Sequence, residues 1–147
     1  MINEFEFYHG AALLALSRAS KKPVSIESLK DIYENNAYVV NNKCGVYIKH
    51  TKTRLSPWRF TFHKKHQETI QELRNLYDEV VLLLICHDDG VVGLNFDDLK
   101  KLLDHNHEEV EWIKVERGKR KNYHVSGTDG DLGFTITRDD FIKKILK

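Results

Sequence analysis

The longest apolar run in the chain, Val80-Val81-Leu82-Leu83-Leu84-Ile85-Cys86, constrains the fold most. It is far too short to span a bilayer. It is also too unbroken for a strand with one wet face, which would alternate apolar with polar residues. It predicts a strand buried on both faces, in a sheet covered by helices. The rest of the chain must supply those covering layers.

Helical spacing supplies several. Phe7, Ala11 and Leu14, with Phe5, Tyr8, Ala12 and Leu16, predict a buried helix over residues 4–17. Gly10 within it costs roughly 1 kcal/mol against alanine and suits a close backbone neighbour. Lys21-Lys22-Pro23 ends it. Ser25 is placed to cap a short second helix with Ile26, Leu29 and Ile32 inward, closed by Asn35-Asn36. Residues 64–77 predict a helix with Ile70, Leu73 and Leu76 or Tyr77 inward. Asn95 caps another through Leu103, with Asp97 and Asp98 in its first turn.

Strands fill the intervals. Residues 38–41, 45–51 and 58–62 read as a three-stranded ribbon, with Ser56-Pro57 as a turn. Val46 and Ile48 point one way; Tyr47, Lys49 and Thr51 point the other. Trp58, Phe60 and Phe62 alternate with Arg59, Thr61 and His63. His87-Asp88-Asp89-Gly90 reads as a hairpin turn in which Gly supplies positive φ, and residues 91–95 return. Residues 110–115 and 123–126 form a second hairpin across Arg117-Gly118-Lys119-Arg120-Lys121. Residues 132–137 add a strand, and Thr137 with Asp140 resembles a capping box for a last helix. The expectation is one α/β domain over 1–147. Its central mixed sheet is flanked by helices within a core at 4–103, and a β-rich extension at 108–147 carries the C-terminal hairpin and helix.

Charge marks the ribbon as a working surface. The whole chain carries a net charge of +1, yet residues 35–67 hold seven Lys or Arg, three His and no Asp or Glu. Solvated faces normally mix signs. Near-neutrality overall excludes a histone-like binder and leaves room for a local basic patch. Lys49, Lys52, Arg54, Arg59, Lys64 and Lys65 are interleaved with Tyr47, Trp58 and Phe60. Cations release counterions from phosphates, and exposed aromatic rings stack on bases. Lys119, Arg120 and Lys121 form a second cluster on a hairpin tip, and the two clusters could straddle a duplex if they share a side. The competing reading makes Trp58, Phe60 and Phe62 core and the charges an ordinary solvated face.

The order α-β-β-β-α-β resembles the core of the restriction-endonuclease-like, or PD-(D/E)xK, superfamily. That resemblance implies an Asp at the end of an early strand, a D/E-x-K tripeptide on the next, and a hydrophobic strand after the helix. Val39-Val40-Asn41-Asn42 stands where the Asp would be and Tyr47-Ile48-Lys49 where the tripeptide would be, so both expected carboxylates are missing. Mg²⁺, the metal the resemblance implies, binds through carboxylates and phosphate. Glu4 or Glu6 on the first helix is the available replacement, and an active nuclease would rest on Glu6 and Lys49. Lys49 therefore admits three readings: a sheet lysine covering apolar surface, a phosphate-binding lysine without catalysis, or a catalytic lysine in a rearranged metal site. FYHG, VYIKH and SPWRFTF also resemble segments of uncharacterised bacterial proteins, a likeness that implies no activity.

Other constellations carry less. His63 and His66 share a helix face, and His105 and His107 share a loop with Glu108 and Glu109. Zinc closure needs three or four ligands, with Cys44 and Cys86 as the remaining candidates. Two cysteines, one in each half, make no disulfide framework, so the expectation is an intracellular, cytoplasmic protein. No cofactor is expected apart from Mg²⁺ for a nuclease. The expected partner is DNA or RNA, with no membrane. A protein partner is the other possibility, for an immunity or accessory protein of a bacterial conflict system, anchored by Trp58 and Arg59.

Overall fold

The computed structural model describes residues 1–29, 36–104, 106 and 109–147. Their elements run α1 (Glu4–Ala19), β1 (Ile26–Ser28), β2 (Ala37–Val40), β3 (Cys44–Thr51), β4 (Trp58–Phe62), α2 (Lys64–Leu76), β5 (Glu79–Cys86), β6 (Gly90–Asn95), α3 (Phe96–Leu102), β7 (Glu111–Glu116), β8 (Tyr123–Gly127), β9 (Gly130–Ile136) and α4 (Asp140–Ile145). The strands form two sheets, ordered β1-β2-β3-β5-β6 and β4-β7-β8-β9. The fold is mixed α/β.

The strand expected to be buried on both faces is an interior strand of the first sheet, between β3 and the edge strand β6. β5 pairs with β3 in parallel and with β6 antiparallel, and Val80 to Cys86 are buried. Its side chains serve two cores. Val81, Leu83 and Ile85 pack under α1 and α4 with Val46, Ile48 and Leu16. Val80, Leu82 and Leu84 pack against α2, α3 and the second sheet, with Tyr47, Phe60, Leu73 and Leu102. The first sheet is therefore a middle layer. Gly93 on β6 permits the α4 contact, since a Cβ there would lie 2.5 Å from the Cβ of Phe141.

Three expectations are corrected. The ribbon does not stay together. β3 has only two edges, and β2 and β5 take both, so β4 pairs antiparallel with β7 in the second sheet. The short second helix is not formed over its first residues. Ile26, Glu27 and Ser28 pair with Val40, Val39 and Tyr38 as β1, and residues 30–35, including Ile32 and Asn35, lie outside the described residues. In the β5–β6 turn, His87 holds the positive φ, +52°, and Gly90 opens β6 instead. The β2–β3 turn spans Asn41 to Lys43, with Asn41 and Asn42 at φ +54° and +55°, a region asparagine tolerates. Asn95 does cap α3, accepting from the Asp98 amide at 2.8 Å.

Candidate nucleic-acid interface

β3 sorts its residues between two environments. Lys49 points with Tyr47 toward α2 and the second sheet. Its ammonium donates to the Thr61 carbonyl, lies 3.2 Å from His66 Nδ1, and sits 4.7 Å from the centre of the Phe62 ring. Burial pulls its pKa down to about 8. Lys49 thus bridges β3 to β4 and α2 and does not stand on an open flank. Glu6 is on the other side of the first sheet, on α1, where it accepts from the Asn3 amide at 2.9 Å. The two residues assigned to one nuclease site lie on opposite faces.

Trp58, Phe60 and Phe62 are inside, and Trp58 is 2% exposed. No base can stack on its indole and no protein can use it as an anchor. Arg59 lies on the outer face of the second sheet with its guanidinium 4.9 Å from the Trp112 ring centre. Lys64 and Lys65 are exposed at the start of α2, Lys64 within 3.9 Å of Glu68. His63 and His66 serve that helix terminus: His66 Nδ1 accepts from the His63 amide at 3.1 Å. His105 and His107 lie outside the described residues. Cys44 and Cys86 sit at opposite ends of the β3–β5 pair, and burial pushes both thiols up, Cys44 to about 12. They share no ion and neither is an activated nucleophile.

The remaining cations converge on one end of the molecule. The Arg117 amide donates to Ser56 Oγ at 3.0 Å, which fastens the β7–β8 tip to the β3–β4 loop. Asp89 anchors this junction. It holds Arg117 Nη1 at 3.1 Å and accepts from Tyr123 Oη at 2.7 Å, with Arg138 Nη2 4.0 Å away. Arg54, Lys119, Arg120 and Lys121 are exposed and form no ion pair among the described residues. A shallow groove of about 470 Å³ leaves the tip along β8, lined by Arg120, Lys121, Asn122 and His124 with Glu116 on its wall. Of the first cluster, Lys52 and Arg54 therefore share this end with Lys119 to Lys121, while Lys64 and Lys65 follow Phe62, which pairs with Glu111 at the opposite end of β7. The shared end is not acid-free: Glu4 lies 3.3 Å from Lys52, and Asp88 is within electrostatic reach of Arg54.

The α1 face of β3 gathers Glu4, which the sequence singled out, with His50, Tyr8 and His9, which it did not. Glu4 Oε1 lies 3.3 Å from His50 Nε2, and Tyr8 stacks on His50 at 4.6 Å. His9 Nδ1 is 2.7 Å from Tyr38 Oη, while its Nε2 is buried without a hydrogen-bond partner. Burial, then the charge of His50, lowers the His9 pKa to about 4. Period-two alternation puts His50 on the face of Val46 and Ile48, and that signal was available beforehand. The donor set does not fit Mg²⁺, which wants several oxygens. Glu4 is the carboxylate α1 brings to β3, and it is already shared between His50 and Lys52.

A second unforeseen group is acidic. Asp104, Glu111 and Asp129 each bring a carboxylate oxygen within 4.8 Å of the others. Burial first, then Asp129, raises the Glu111 pKa to about 8. Alternation could have found Glu111, since it shares a face with Ile113 and Val115.

The chain matches no family model, no curated protein and no solved structure. Among the described residues no helix is long and apolar enough to cross a membrane.

Proposed function

We propose that the protein is a nucleic-acid-binding module on a nuclease-like α/β scaffold, and that it binds without cleaving. One observation carries the reading. The Ser56–Arg117 hydrogen bond fastens the Lys52–Arg54 loop to the Lys119–Lys121 tip, so five cations from two distant segments work from one end. Asp89 pins Arg117 beneath them, which pre-orders the surface before a phosphate arrives. The scaffold part rests on the first sheet taken alone. A helix, three antiparallel strands, a helix and a parallel strand follow in order as α1, β1-β2-β3, α2 and β5. The binding-only part rests on the donor set beside His50, which has one shared carboxylate where metal-dependent cleavage needs more.

The test is fluorescence anisotropy with a labelled duplex and a labelled single strand across a salt series. Four or five phosphate contacts predict a log K against log salt slope of roughly −4 for duplex DNA. Affinity that stays level as salt rises removes the reading. Cleavage of DNA or RNA with Mg²⁺ or Mn²⁺, lost in His50→Ala, would instead favour an active enzyme centred on the α1 face.

A second reading, a protein-interaction module, is favoured by one observation. The stripe Phe7, Ala11 and Leu14 expected to be buried is exposed, with Phe7 63% and Leu14 51% accessible. Exposed apolar stripes of this kind mark contact faces. Sedimentation of wild type and of Phe7→Glu/Leu14→Glu over a concentration range tests a second copy as that partner. Identical monomer profiles rule out self-association.

A further inference from the structure

The acidic group lies at the other end of β7 from the basic tip, about five strand steps or roughly 17 Å away. Its three carboxylates come from three elements. Asp104 follows α3, Glu111 opens β7, and Asp129 sits in the β8–β9 turn. Backbone contacts hold them together. The Asp104 amide donates to Asp129 Oδ2 at 2.8 Å, and the Asp129 amide donates to the Leu102 carbonyl at 2.9 Å. Thr128 pairs with Trp112, accepting from the Trp112 amide at 2.8 Å and donating its own amide to the Trp112 carbonyl at 3.0 Å. Gly127 lets α3 approach, since a Cβ there would meet the Leu102 carbonyl oxygen at 2.5 Å.

Glu111 makes this more than a run of surface acids. It is 3% exposed; its side chain meets the Asp129 carboxyl and the Asp104 backbone, and its Oε2 has no hydrogen-bond partner among the described residues. A buried carboxylate is retained only with a counter-charge or donors. Lys100 on α3 is within electrostatic reach of Glu111 and Asp104, but its ammonium sits 5.2 Å from the Phe96 ring centre. Fully ionised, the three carboxyls set against one ammonium would leave two negative charges, the complement of a divalent ion. All-oxygen donors select the hard cations over zinc or copper. Two oxygens on one Ca²⁺ are separated by at most about 5 Å, and on Mg²⁺ by about 4 Å. The 4.8 Å bound on the cluster fits within the calcium span as it stands.

We infer that Asp104, Glu111 and Asp129 form a site for a hard divalent cation, with Ca²⁺ preferred by size, that clasps α3, β7 and the β8–β9 turn. The site is structural and independent of the basic end. Waters complete the coordination sphere, because Asp104 and Asp129 face solvent.

The experiment is a terbium titration of the chelator-treated full chain, excited through tryptophan, with Trp112 adjacent to Glu111 as antenna. The expected result is sensitised emission saturating at one equivalent and displaced by Ca²⁺ at lower concentration than by Mg²⁺. Ca²⁺ at a hundred times its Kd then raises Tm by about 9 °C. Glu111→Gln and Asp129→Asn each weaken terbium binding at least tenfold, and Asp104→Asn, on an exposed position, is the control should either fail to fold. Absence of saturable emission, or emission unchanged in the variants, overturns the site. So does Glu111→Gln raising Tm in a protein whose wild type ignores Ca²⁺, the signature of two carboxyls sharing a proton. Displacement by Mg²⁺ before Ca²⁺ overturns the size preference.

Discussion

Lys49 and His50 are consecutive residues on β3 with opposite fates. Lys49 is packed against Phe62, Thr61 and His66, and burial lowers its pKa to about 8. His50 faces α1, pairs with Glu4 and lies beside the exposed end where Lys52 and Arg54 emerge. The difference teaches that a basic run along the chain is not a basic surface. A strand sends alternate side chains to opposite layers, and its sheet partners decide which layer is wet. Part of the acid-free stretch is interior, on β2 and β3 in the first sheet and on β4 in the second. The accessible charge is what remains in the loops, on the outer face of β4 at Arg59 and at the start of α2.

This division can be broken at its inner side first. Trp58→Ala should cost about 3–5 kcal/mol in a urea titration, as for a fully enclosed aromatic. The nucleic-acid affinity of the folded fraction should not change. A loss of affinity at unchanged stability would mean that Trp58 belongs to the outside.

His9 sharpens the comparison through pH. Its folded pKa, about 4, is below the unfolded value near 6.5. Between those values the unfolded chain binds more protons, so stability present above pH 6.5 is lost as pH falls toward 4. The amount is on the order of 2–3 kcal/mol. The stability difference between wild type and His9→Gln, measured by denaturant unfolding across that range, should carry this slope. A flat difference would place His9 in contact with water.

Lys49→Ala should lower stability by about 1–2 kcal/mol, through lost packing of its stem and lost ties to β4 and α2. Affinity for nucleic acid should hold. The smallest expected effect is at the outer side. Glu4→Gln removes the carboxylate beside Lys52 and His50, and exposed pairs of this kind are weak. Affinity should rise about two- to threefold in an anisotropy titration, with stability nearly unchanged. A fall would make Glu4 part of a reacting site.

What the sequence showed follows the same line between local and distant. The burial of β5 on both faces was legible because seven apolar residues in succession admit few other places. The Asn95 cap and the helical pattern of α1 were legible because they are local. Which face of α1 is buried was read only in part. Leu16 and Ala12 are inside while Phe7 and Leu14 are out, since two apolar stripes competed on one helix. β1 was taken for a helix because Ile26 and Leu29 fit a helical period, and three residues cannot tell one period from another. The departure of β4 was not legible, because edge occupancy on β3 depends on β5, seventeen residues beyond β4. The acidic group was invisible for the same reason, its members being brought together by three separate elements.

The most direct test of the account is the salt dependence of duplex binding by three proteins: wild type, Lys119→Ala/Arg120→Ala/Lys121→Ala, and Lys49→Ala. Removing the tip cations should make the slope of log K against log salt shallower by up to about 3, roughly 0.9 for each lost contact. Lys49→Ala should leave the slope where it was. Equal slopes for wild type and the tip variant, or a shallower slope for Lys49→Ala alone, would contradict the assignment of the basic end as the nucleic-acid surface.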